Sequence, residues 1–156
     1  MIMRRGFLAD KFLVKVVAEI PYQDRIEGEK TDAGWRLKAV GCARLLAEVR
    51  ALAAISNDPS TWALPETTDH VGLLLREFIL KTQGAWAYPY ADEELCHCRN
   101  VPTAVVDRAI MNGAHTGPQV SRLTNASTSC GTCRPDVECI IKYRKTGCLA
   151  AAKKAA

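Results

Sequence analysis

Seven cysteines occur in this chain of 156 residues, and their spacing is the feature most able to do chemistry. Cys96 and Cys98 flank a single histidine, and Cys130 and Cys133 flank Gly131 and Thr132. An odd number of thiols cannot all pair within one chain. In an extended segment, residues i and i+2 point the same way, so Cys96 and Cys98 can face one site. In a turn entering a helix, residues i and i+3 converge, so Cys130 and Cys133 can face it too. Four thiolates suit either a tetrahedral zinc or an iron–sulfur cluster. Zinc ribbons use two C-x2-C knuckles, each bending around one ion. The C-x-C pair spaces its sulfurs differently, and both metals stay open on chemistry alone.

The elements between the pairs must bring them together. "VPTAVVDRAIMNG" reads as a short helix with proline in its first turn and Gly113 just past its end. "HTGPQVSRL" begins another, with Thr116 and Gln119 at capping-box spacing and Val120 and Leu123 facing inward. A third follows Cys133, with Pro135, Asp136 and Glu138 near its start and Lys142, Arg144 and Lys145 at its end, as the helix macrodipole favours. The first two form a helix-turn-helix that returns the chain to its starting point.

Residues 95 to 142 resemble the BFD-like 2Fe-2S-binding domain, the family of bacterioferritin-associated ferredoxin. The resemblance rests on the C-x-C, Val101, "AI" at 109 and 110, "GA.T" from 113, and "T.A.T.CGTC.P.VE" from 124 to 138. It implies that Cys96, Cys98, Cys130 and Cys133 are the four ligands of one 2Fe-2S cluster, with zinc as the alternative. Two departures stand out. Related sequences carry glycines where this chain has Asn125, Ser127 and Ser129, and Pro102 replaces the usual Thr or Ser cap. Asn tolerates a left-handed backbone, whereas serine does so poorly.

Four further residues are candidates for tuning such a cluster: His97 between two ligands, and Arg99, Arg122 and Arg134 beside the ligand loops. Cations and N–H donors near an anionic cluster favour its reduced form. His115 reads as a polar turn residue, Cys139 as packing, and Cys148 as a free thiol. No Ser-His-Asp arrangement, phosphate loop or paired carboxylates accompany the cysteines, so no enzyme activity is expected.

The remainder of the chain sets the frame. About half the residues are apolar and a quarter charged, enough for a buried core. From Cys96 onward nine Lys and Arg stand against three Asp and Glu, whereas residues 1 to 95 carry 12 against 14. "GAWAYPYADEE" at 84 to 94 reads as a connection. The expected organisation is a helical unit over 1–90, a 2Fe-2S-binding domain over 91–148 and a tail over 149–156. The expected fold is mainly α. Helices are read over 32–58, from an Asp32 cap through Trp35, Val40, Leu45 and Val49, and over 67–84, with Val71, Leu74, Phe78 and Ile79 on one face. Residues 11 to 20 alternate like a strand, but no partner strand is evident and they are read as helix. Cys42 is expected as a small buried side chain within the first helix, and His70 as an exposed polar residue.

Acidic residues interrupt the basic-apolar start, which has neither the pattern of a signal nor that of a transit peptide. No stretch is long and apolar enough for a membrane span. These features lead to the expectation of a cytoplasmic one-electron carrier, ferredoxin-like, that docks a protein redox partner with an acidic surface. A cluster-dependent sensor or a cluster scaffold is the alternative, and a structural zinc module the second alternative. A net +6 over the last 61 residues is weak support for nucleic acid, which is not expected as a partner.

Overall fold

The computed structural model describes residues 14–148, so the basic-apolar start up to residue 13 and the tail from residue 149 lie outside the described residues. The stretch 11–20, expected as helix, is strand from residue 14 onward, because residues 24–31 supply the antiparallel partner; residues 11–13 lie outside the described residues. β1 (Val14–Ile20), β2 (Asp24–Thr31) and β3 (Gly34–Val40) form an antiparallel meander, with Ile20 opposite Asp24, Ile26 opposite Ala39 and Thr31 opposite Gly34. Val16, Ala18 and Ile20 of β1, Ile26 of β2 and Trp35 of β3 turn into the core. The opposite face is charged, and Arg25 joins Glu19 and Glu27 across and along the strands, each at 2.6 Å. Such exposed pairs contribute little stability, but they favour this register over a slip.

The expectation of a mainly α fold is therefore corrected: 44% of the described residues are helical and 20% lie in strands. The expected helix over 32–58 divides. Asp32 sits in the β2–β3 turn, residues 34–40 are strand with Val40 exposed, and only Ala43–Ile55 is helix α1. Cys42 is not inside that helix but caps it, its Sγ accepting the Leu45 N–H at 3.4 Å. The second expected helix is present as α2 (His70–Thr82), capped by Asp69, which accepts from the Gly72 N–H at 3.0 Å. His70 is half-buried rather than exposed. Among the described residues, no helix is long and apolar enough to cross a membrane.

α2 is buried continuously from Val71 to Leu80 because it has neighbours on both sides. One side packs on the sheet with Leu45, Val49 and Trp62. The other meets α3 (Thr103–Met111) and α5 (Arg134–Thr146). A second core gathers Leu95, Val101, Val106, Ile110, Val120, Ala126, Val137, Ile140 and Ile141 around the cysteine segment. α4 (Gly117–Thr124) contributes Val120 to it, but Leu123, expected inward, is 68% exposed.

A buried charge network joins these layers. Arg144 on α5 holds Glu77 of α2 through Nη1 and Asp107 of α3 through Nε at 2.7 Å and Nη2 at 2.5 Å. Burial opposes its charge, but the bonds to Asp107 and Glu77 outweigh that and keep its pKa above the ordinary arginine range. Lys81 bonds Glu77 at 2.5 Å and donates to the Val17 carbonyl of β1 at 2.8 Å. Residues 86–88 lie against this network: Trp86 meets Tyr143 at a tilt and Tyr88 meets it edge-on, both rings face the Arg144 guanidinium, and the Tyr88 hydroxyl donates to Asp107 at 2.9 Å.

Two substitutions test these packings by chemical denaturation. A Cβ at Gly28 would meet Phe78 Cζ at 2.8 Å, so Gly28→Ala should cost roughly 1–3 kcal/mol through overpacking. Arg144→Met removes the cation shared by buried Glu77 and part-buried Asp107, which keep Lys81 and Tyr88 as partners, and should cost about 3 kcal/mol, the lower end for a broken buried pair. Stability within experimental error of the parent chain for either variant would contradict the corresponding packing.

Candidate metal centre

A two-residue ladder and a helix start deliver the four thiols. β4 (Glu94–Cys96) pairs antiparallel with β5 (Val101–Pro102), so Cys96 ends a strand and Cys98 lies in the tight hairpin beyond it. The hairpin closes through Asn100 at φ 51°, a left-handed position that asparagine tolerates. On the other side, α4 ends at Asn125 with φ 66°, Ser127 follows at φ 62° and Gly131 at φ 73°. Asn125 and Ser127 are two of the three positions where the sequence departs from glycine, and both are left-handed. Cys133 then occupies the N-cap of α5.

Cys96, Cys98, Cys130 and Cys133 all line one cleft of about 360 Å³, together with Tyr90, Leu95, His97, Thr132 and Asp136. One cysteine from each motif meets at the outer side, where Cys98 Sγ lies 3.0 Å from Cys130 Sγ. Cys96 and Cys133 are buried, whereas Cys98 and Cys130 are exposed, so the cleft has an inner and an outer edge.

Donors surround these sulfurs. Burial pushes the Cys96 thiol up, but the N–H groups of Ser127 and Arg99 and the Cys133 thiol outweigh burial and leave its pKa lowered. Cys130 is lowered to about 7, first by the Cys98 thiol and then by the Thr132 hydroxyl and N–H. Cys98, as donor in that pair, is raised. The Ser127 hydroxyl lies 3.0 Å from Cys133 Sγ, and the positive end of the α5 dipole lies at the same residue. Such an array suits thiolates, and hence a metal, better than it suits four neutral thiols.

Of the residues read as tuning candidates, His97 lines the cleft and its Nδ1 lies 2.6 Å from Glu94 Oε1. Arg99 does not line it, but its Nε donates to Thr128 Oγ1 at 3.1 Å and ties the hairpin to the second cysteine loop. Arg134 reaches the Gly131 turn, and Arg122 is exposed in the last turn of α4. Ser127 and Thr132 were missed by sequence reading as donors to sulfur. Their only signal is position, one within six residues of Cys133 and the other between two ligands. Cys139 is half-buried on α5 and Cys148 exposed, and neither lines the cleft.

Residues 95–143, about a third of the chain, match the family model described as the BFD-like 2Fe-2S binding domain. No curated protein and no solved structure matches the chain. The matched segment contains all four cleft cysteines, which supports an iron–sulfur cluster and marks this as an iron–sulfur binding protein.

The thiol pairing has a direct consequence for reactivity. In chain freed of iron and sulfide, alkylation at Cys130 should reach half its maximal rate near pH 7, because its pKa is lowered to about 7 and the thiolate persists above that pH. Cys98→Ala removes the largest cause and should move the midpoint upward. A midpoint at the ordinary thiol value of 9.0 in the parent chain would contradict the pairing.

Proposed function

We propose that residues 95–143 hold one 2Fe-2S cluster through Cys96, Cys98, Cys130 and Cys133, and that the chain is a one-electron carrier rather than an enzyme. The observation that carries this reading is the convergence of four cysteine side chains in one cleft, with Cys98 and Cys130 of the two motifs in contact. A binuclear core has two irons with two thiolates each, and the match of this segment to a 2Fe-2S binding domain favours it over a single tetrahedral zinc. Such a core would supply a one-electron couple when bound.

The protein's own residues set how that couple behaves. N–H groups of Arg99, Ser127 and Thr132 and the hydroxyls of Ser127 and Thr132 direct positive charge at the sulfurs and favour the more negative, reduced state. Leu95, Val101 and Ala126 exclude water from the inner edge. The exposed Cys98–Cys130 edge is where a protein redox partner would dock. Arg99 and Arg134 beside it suit acidic side chains on that partner through weak, steered contacts. Neither a membrane nor nucleic acid enters the reading. It locates the protein in the cytoplasm, where reducing conditions keep the four thiols available.

A second reading has one observation in its favour. Cys133 begins α5, and Arg144 at the other end of α5 holds α2, so loss of the cluster would be felt in the N-terminal half. That suits a cluster-dependent sensor.

Anaerobically purified protein should contain about two irons and two sulfides per chain, and be reduced and reoxidised by cellular redox proteins while remaining folded. Equal partner affinity with and without cluster leaves the carrier. A difference of at least ~1 kcal/mol would favour the sensor instead. Ser127→Ala removes the hydroxyl donor to Cys133 and should lower the reduction potential by roughly 20–60 mV, the equivalent of one hydrogen bond. One zinc per chain with no iron, or an unshifted potential in Ser127→Ala, would contradict the respective claim.

A further inference from the structure

Three elements of the N-terminal half each deliver one side chain to a single point. Asp24 opens β2, Cys42 caps α1 and His70 is the first residue of α2. Their ligand atoms all lie within 4.8 Å of one another. His70 Nε2 is 3.4 Å from Asp24 Oδ2 and 3.5 Å from Cys42 Sγ. The Asp24 side chain is only 1% exposed, and although its Oδ1 accepts the Cys42 N–H at 2.7 Å, its buried Oδ2 has no hydrogen-bond partner. Arg44, on the adjoining turn of α1, is engaged by Asp69 at 2.6 Å. The chain also reserves space for this carboxylate: a Cβ at Gly41 would come within 2.0 Å of Asp24 Oδ1.

We infer that Asp24, Cys42 and His70 bind a single divalent first-row transition ion, at a site separate from the four-cysteine cleft. The spacing supports an ion. Bonds of about 2.0–2.3 Å at tetrahedral angles place ligand atoms roughly 3.4–3.6 Å apart, where Nε2 stands relative to both Oδ2 and Sγ. A nucleophilic Cys-His-Asp arrangement would need the thiol and the carboxylate on opposite ring nitrogens. Here both approach the same one.

The donor set narrows the occupant. One imidazole, one thiolate and one carboxylate suit zinc or a neighbouring divalent metal better than calcium or magnesium. A single thiolate is too few for an iron–sulfur cluster. A divalent cation would also balance charge: Asp24 and ionised Cys42 carry one negative charge each, His70 is neutral, and the site sums to zero. On binding, the Cys42 thiol gives its proton to solvent as the sulfur–metal bond forms. Three protein ligands leave a fourth position for water or another ligand, reached past His70, whose side chain is 34% exposed.

The test uses the full-length, cluster-loaded protein incubated with zinc and desalted, with zinc, iron and sulfide measured in the same sample. About one zinc should be retained per chain without loss of iron. His70→Gln and Cys42→Ser, the latter keeping an oxygen acceptor at the α1 cap, should each weaken zinc binding at least about tenfold and leave iron and sulfide unchanged. Zinc-edge X-ray absorption should show one sulfur ligand in the parent protein and none in Cys42→Ser. No retained zinc, zinc gained at the expense of iron, or equal retention by both variants would overturn the site.

Discussion

Gathering four sulfurs into one cleft is the constraint on which the C-terminal half depends. Thiolates repel one another, and two of the four are buried, so desolvation adds to that repulsion. The fold offsets this with backbone: N–H groups of Arg99, Ser127 and Thr132 point at sulfur, and α5 starts at Cys133. Presenting those groups demands a backbone that turns the wrong way for most residues. Asn100, Asn125, Ser127 and Gly131 take left-handed conformations around the thiols, and the surrounding helices hold them there. Ser127 accepts an unfavourable conformation and in return places its hydroxyl on Cys133. The neighbouring turn thus shapes both the geometry and the electrostatics of the ligands.

The rest of the molecule acts as a support for that cleft. α2 is wedged between the sheet and α3 and α5, and Arg144 fastens it by pairing with Glu77 and Asp107. The aromatic connection at 86–88 packs over the same arginine instead of hanging free as a linker would. The two hydrophobic cores are distinct, yet Met111 of α3 belongs with the first of them. α2 also carries His70 at one end and Glu77 and Lys81 near the other, so it is the element shared by the N-terminal ligand cluster and the charge network.

How much of this was legible in the sequence depended on how local the signal was. The four cysteines announce themselves by type and spacing, and the helices between them by caps: Thr116 does accept from the Gln119 N–H, and Gly147 ends α5 in a left-handed conformation. The sheet was hidden because β2 carries only Ile26 as a large inward residue. Gly28 beside it leaves room for Phe78, so the strand reads as a polar, glycine-containing loop. Without β2, β1 had no visible partner, and β3 was absorbed into the helix that follows it. Asp24, Cys42 and His70 were not legible as a group at all. They lie far apart along the chain, and only the meander and the two helix starts bring them together. Tertiary contact, not local propensity, decided each of these cases.

The central claim is that the cleft cysteines hold a binuclear iron–sulfur centre able to carry one electron. The most direct measurement is electron paramagnetic resonance of the anaerobically reduced protein, with spins counted against chains. The oxidised protein should be silent and, on reduction, should give a spin-one-half signal integrating to about one spin per chain, lost in Cys98→Ala and Cys130→Ala. A protein that stays silent on reduction and carries zinc at the four cysteines would contradict it.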